Sequence, residues 1–122
     1  MRYTRDIETA LYDLLTAGGY SASAHAIPDT LGATLPHVHV VRTGGSESDM
    51  VIERNNVDFD VYADDAADAM TSACTLCGFV RDLAGDEFYE SEITTMPYNN
   101  PDPRHPTIAR ATFKAQILSR TI

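Results

Sequence analysis

The sequence predicts a single α+β domain: a mixed, mainly antiparallel β-sheet of about four to five strands with two helices packed on one face. Apolar residues recur at helical spacing in two separated stretches and alternate with period two in three others. The segments between them are short and rich in turn residues. At 122 residues the chain has the length of one domain (1–122), and 43% hydrophobic with 22% charged residues is an ordinary globular composition.

Thr4 to Ala17 reads as the first helix, because Ile7, Leu11, Leu14 and Leu15 share a face and Gly18-Gly19 supplies the stop. Asp6, Glu8 and Asp13 run through its apolar stretch, which marks an amphipathic helix rather than a signal peptide. Ser21 to Ile27 alternates small and polar residues as a weak strand, and Pro28 to Pro36 is a loop. His37 to Thr43 alternates as a half-buried strand should. Gly44 to Asp49 follows as a polar loop without the lysine that a phosphate cradle requires.

Met50 to Ala63 is the second strand region, with Val57, Phe59 and Val61 facing one way and Asp58 and Asp60 the other. Its length predicts a hairpin partner or a bulge near Asn55-Asn56. Asp64 is the expected N-cap of a helix running to about Leu83, whose buried stripe is Ala66, Met70, Ala73, Cys74, Cys77 and Val80. Phe88 to Thr95 is a third strand, and Pro97 to Pro103 is a turn-rich loop. Thr107 to Arg120 closes the chain. Ala109, Ala111, Phe113, Ala115 and Ile117 lie on one side of it, and Arg110, Thr112, Lys114 and Gln116 on the other.

The formal net charge is −9, which argues against a nucleic-acid binder, because such proteins need a basic footprint. The charge is also segregated. Glu47 to Asp68 holds eight acids and one base, Asp82 to Asp102 six acids and no base, and the chain from Arg104 onward four bases and no acid. Such segregation suits a subunit whose acidic and basic surfaces meet on neighbouring copies. No apolar run approaches the ~18 residues of a membrane span.

Motifs for chemistry are scarce. Cys74 and Cys77 form a lone C-x-x-C inside a helical pattern, where core packing explains them better than redox or metal chemistry. His37 and His39 offer two further zinc ligands in principle. Asp58 and Asp60 share a strand face and, with Asp64 and Asp65, could bind a cation or do acid/base work, but they read as an exposed face. No G-x-S-x-G elbow is present, and His25, His37, His39 and His105 are scattered. The expectation is a non-enzyme without metal or cofactor.

A combination of soft patterns runs through nearly the whole chain. Leu35-Pro36 leads into His37-Val38-His39-Val40-Val41-Arg42 and Thr43-Gly44-Gly45, and Val57-Asp58-Phe59-Asp60-Val61-Tyr62-Ala63 runs into an alanine-rich helix. Pro97-Tyr98-Asn99-Asn100-Pro101 then precedes Ala109-Arg110-Ala111-Thr112-Phe113-Lys114-Ala115. Together these resemble the tail terminator (tail completion) proteins of long-tailed phages and prophages. The resemblance implies a structural virion protein made in the host cytoplasm. Its copies form a ring, hexameric in the family, that ends tail-tube polymerisation at the head-proximal end of the tail and joins the head.

The implied partners are further copies of the chain, the major tail tube protein and a head-completion or connector protein. DNA passes through the lumen without specific binding, and no membrane is involved. The resemblance makes the Arg42 to Asp49 segment and the Pro97 to Pro106 loop interface elements, and the charge pattern adds the acidic middle and the basic last strand. The interface candidates are Arg42, Gly44, Gly45, Glu47, Asp49, Arg54, Tyr98, Asn99, Arg104, Arg110 and Lys114. Acidic side chains would repel DNA in a lumen, which makes Asp58, Asp60, Glu87, Glu90 and Glu92 lumen-facing candidates. Asp102-Pro103-Arg104-His105-Pro106 departs from the bulky apolar residues frequent in the family before the last strand. Another head–tail connector or minor tail protein is the alternative reading, and a small cytosolic binding or redox module using Cys74 and Cys77 a second one.

Overall fold

Two apolar strands far apart in sequence form the centre of the sheet. The computed structural model describes residues 3–47, 51–83 and 88–121. Its elements are α1 (Ile7–Ala17), β1 (Ala22–Ala24), β2 (His37–Glu47), β3 (Ile52–Ala63), α2 (Ala66–Arg81), β4 (Phe88–Asn99) and β5 (Ala109–Arg120), with a 3-10 turn at Leu31–Ala33. β3 and β5 pair antiparallel, setting Val57, Phe59 and Val61 opposite Ala115, Phe113 and Ala111. Phe59 and Phe113 stack with ring centroids 4.9 Å apart. β2 lies outside β3, β4 outside β5, and β1 adds parallel to β2, giving the order β1-β2-β3-β5-β4.

Both helices cover one face, as expected of this α+β class. Ile7, Leu11 and Leu15 from α1 join Ala69, Ala73, Leu76, Cys77 and Val80 from α2 over Val38, Val40, Phe59, Phe113 and Ile117. The alanines of α2 let its backbone approach the sheet closely. Among the described residues no helix is long and apolar enough to cross a membrane.

Several boundaries differ from expectation for identifiable reasons. The first helix begins at Ile7 rather than Thr4, because the Asp6 carboxylate accepts the Thr9 N–H at 3.2 Å and caps it there. Asp65, not Asp64, caps α2, accepting from the Asp68 N–H at 2.8 Å, and α2 ends at Arg81. Its buried stripe is rotated to Ala69, Ala73, Leu76, Cys77 and Val80, leaving Ala66 and Cys74 exposed and Met70 half-buried. A step of about 100° per residue puts Cys74 past the edge of the face that Ala73 and Cys77 define.

The polar segment after Thr43 is strand rather than loop, as β2 continues to Glu47. A bulge between Arg42 and Gly44, opposite Val57 and Asn56, realigns β2 beside the Asn55-Asn56 pair. Gly45 makes the realignment possible: its φ is +152°, and a Cβ there would collide with the Arg54 carbonyl oxygen. β4 also outruns its expected end, reaching Asn99 through Pro97. Proline is tolerated because β4 is an edge strand with an irregularity between Thr95 and Tyr98. β1 is only the central part of the Ser21 to Ile27 stretch, and β5 starts at Ala109 rather than Thr107.

Candidate functional site

The helix-free face of the sheet carries the alternate residues of each strand. On β3 these are Asp58, Asp60 and Tyr62, and the register sets them opposite Lys114, Thr112 and Arg110 of β5. Lys114 Nζ lies 3.1 Å from Asp58 Oδ2, and the Thr112 hydroxyl donates to Asp60 Oδ1 at 2.8 Å. The acidic middle of the sequence and its basic last strand therefore meet within one chain. Lys114 and Arg110 are largely used internally and are not free as basic interface patches. Asp58 and Asp60 lie half-buried on this polar face.

Tyr62 is fully buried on the same face although no helix covers it. The cover is the 100–108 loop. Asp102, 3% exposed, accepts from the Tyr62 hydroxyl at 2.9 Å and from the Arg104 N–H at 3.0 Å, and His105 Nδ1 lies 3.1 Å away. The Arg110 guanidinium stands 3.5 Å from the same carboxylate and donates to the Asn100 carbonyl. Burial alone would push the Asp102 carboxyl up. The bonds from Arg104, His105 and Tyr62 and the Arg110 charge outweigh it and hold the group well below the usual carboxylate range.

A second polar cluster continues from this one toward the β1 edge. Ser21 Oγ lies 2.8 Å from His37 Nδ1, His37 Nε2 2.8 Å from Ser23 Oγ, and Ser23 Oγ 2.7 Å from His39 Nδ1. Burial pushes both imidazoles below the ordinary histidine value. His39 adds to the effect at His37, while Asp60 and Glu8 oppose it at His39. Both histidines therefore take up a proton less readily than a free imidazole. His39 and Asp60 also line an open cleft of ≈ 550 Å³ with Leu31, Arg104 and His105.

Neither cluster assembles a metal centre: among the described residues no three His, Cys, Asp or Glu side chains are placed to hold one ion. His37 and His39 lie on the helix-free face and Cys77 in the helix-side core, so the sheet separates the zinc ligands that the sequence offered. Cys77 is buried and Cys74 exposed. Burial pushes the Cys77 thiol up against the opposing pull of Arg81, the reverse of what a redox nucleophile needs. A thiol probe is expected to label Cys74 in the native chain and Cys77 only on unfolding. Cys77→Ala should cost about 1–3 kcal/mol in urea denaturation, and Cys74→Ala under about 0.5.

The remaining interface candidates divide by surface. Arg42 lies on the helix side, where its Nε donates to Asn55 Oδ1 at 3.0 Å. Gly44 is half-buried, and Gly45, Glu47 and Arg54 are exposed near the end of the β2–β3 hairpin. Tyr98 and Asn99 are exposed at the end of β4, and Arg104 is exposed on the 100–108 loop. Glu90 and Glu92 are exposed on β4. Asp49 and Glu87 lie outside the described residues. β4 closes the sheet as a 12-residue edge strand and carries the exposed Tyr89, Met96 and Tyr98.

The Tyr62–Asp102 latch and the serine–histidine chain were not anticipated from the sequence. The latter had a signal, since Ser21-x-Ser23 and His37-x-His39 share the same period on two candidate strands. In comparisons with known proteins the chain matches no family model and shows no significant similarity to a curated protein.

Proposed function

We propose that this chain is a structural virion subunit whose copies form a ring at the head-proximal end of a phage tail. The ring ends tail-tube growth and provides the head-joining surface. The observation that carries this reading is the open side of the sheet: β4, a 12-residue strand interrupted by register shifts and Pro97, has no strand partner on its outward side among the described residues and adds Tyr89, Met96 and Tyr98, between 38% and 64% exposed. Bare strand edges with large apolar side chains mark surfaces that another chain covers. The patterns shared with tail terminator proteins give that covering its form, a closed ring of identical copies.

The self-contained outer face supports the same reading. Asp102, Tyr62 and Arg110 tie the 100–108 loop down within one copy, so Tyr98, Asn99 and Arg104 are presented on a preorganised surface. Preorganisation lowers the ordering cost of association.

The test is to add the full chain to polymerising tail tube protein and image the products by negative stain. The expected result is shorter tubes with ring density at one end only. Tubes that elongate as in its absence would contradict the reading, and decoration along their length would favour another tail component.

A further inference from the structure

A closed ring of identical copies needs two different surfaces that meet head to tail, and the present inference rests on that ring reading. We infer that the contact is sheet to sheet: the free edge of β4 in one copy adds to the free edge of β2 in the next. The result is one sheet continuous around the ring. Both edges are bare. β1 covers β2 only from Val38 to Val40, and the Arg42 N–H is taken by Glu8 Oε2 at 3.1 Å. From Gly44 to Glu47, β2 has no strand partner on its outward side among the described residues. β4 is the edge at the opposite side of the sheet.

Charge decides which edges can meet. Glu90 and Glu92 stand opposite Leu118 and Gln116, on the helix-free face. No lysine or arginine lies between Asp82 and Pro103. On the other side, Gly44 and Ser46 pair with Asn56 and Arg54, and Arg54 also pairs with Leu118, which puts its exposed side chain on the same helix-free face. Neighbouring strands lie about 4.8 Å apart, so Arg54, one strand in from the edge, must reach across β2 to an incoming β4. Gly44 has no side chain and Ser46 a short one, which leaves that path open. Two β4 edges paired with each other would instead bring acidic strands together: of the bases one strand in, Lys114 and Arg110 are held by Asp58 and Asp102, and Arg120 lies beyond the Phe88–Ser119 pair at which β4 begins. The occupant of each β4 edge is therefore the β2 arm of a second copy.

Charge reversal in the full chain tests this. Arg54→Glu alone, and Glu90→Lys with Glu92→Lys, are each expected to raise the concentration needed for half-assembly at least tenfold by light scattering with tail tubes present. All three together should recover most of the loss, and unchanged melting curves should confirm that each variant folds. As an independent reading, Ser46→Cys with Glu92→Cys on a Cys74→Ser background should cross-link into a ladder of oligomers, while each cysteine alone should not. Rings that form equally well in every variant and give no ladder would overturn the edge pairing and leave the ring reading standing. A combined variant that stays dissociated would also overturn the pairing. A wild-type chain that stays single with tubes present would overturn both.

Discussion

Replacing Phe113 with alanine is expected to destabilise the chain by about 3–5 kcal/mol, a large share of the total stability of a domain this size. Phe113 is fully buried at the middle of β5, stacked on Phe59 with ring centroids 4.9 Å apart, on the face that α2 covers. Its neighbours on the same face of β5 are Ala111 and Ala115, too small to fill the space left behind. The stack joins two strands from distant parts of the chain, so its loss weakens the whole sheet. Phe113→Leu should cost less, about 1–2 kcal/mol, because more of the volume is kept. Urea denaturation with an unchanged slope measures both. A loss below about 1 kcal/mol for the alanine variant would mean that this stack does not organise the core.

Asp102→Ala is expected to cost about 2–4 kcal/mol, because it leaves the buried Tyr62 hydroxyl and the Arg110 charge without their shared acceptor. The 100–108 loop should then exchange its amides faster than the strands beside it. The pH dependence follows from the same groups. The Asp102 carboxyl is held below its unfolded value, so its contribution is fully present above about pH 4 and lost as pH falls further toward the folded value. His37 and His39 are also depressed, through burial, so the unfolded chain takes up protons first. Their contribution is present above about pH 6.5 and declines below it. Stability should therefore fall in two stages on acidification. His37→Gln with His39→Gln should flatten the first stage, and Asp102→Asn the second. A single stage that neither substitution alters would contradict both assignments.

What the sequence made legible was the part governed by local pattern. Val57, Phe59 and Val61 alternate with Asp58 and Asp60, and Ala111, Phe113 and Ala115 with Arg110, Thr112 and Lys114. The two faces of the central strands could be assigned from that alternation alone. The helices were legible for the same reason, and their starts were missed where adjacent residues compete to cap, as Asp64 and Asp65 do. The extent of β2 through Gly44-Gly45 and of β4 through Pro97 was not legible, because glycine and proline locally signal turns. Only pairing with β3 and β5 holds those residues extended.

The charge pattern misled in an instructive way. Acids from Glu47 to Asp68 and bases from Arg104 onward look like complementary patches for neighbouring copies. The register of β3 and β5 instead brings Asp58 to Lys114 within one chain. Outside that pairing the exposed charges include Glu90 and Glu92 on one edge, Arg54 and Glu47 near the other, and Arg104 on the 100–108 loop. The latch at Asp102 lay beyond sequence reasoning altogether, since nothing local says that an aspartate between two prolines will bury itself on a tyrosine 40 positions earlier.

Assembly of identical copies is the claim on which the rest depends, and the mass of the particle tests it most directly. Size-exclusion chromatography with light scattering on the full chain, alone and with tail tubes, is expected to give a closed species of fixed mass, a whole-number multiple of one chain, that negative stain resolves as rings. A chain that stays single under both conditions, or associates without limit as concentration rises, would contradict the account.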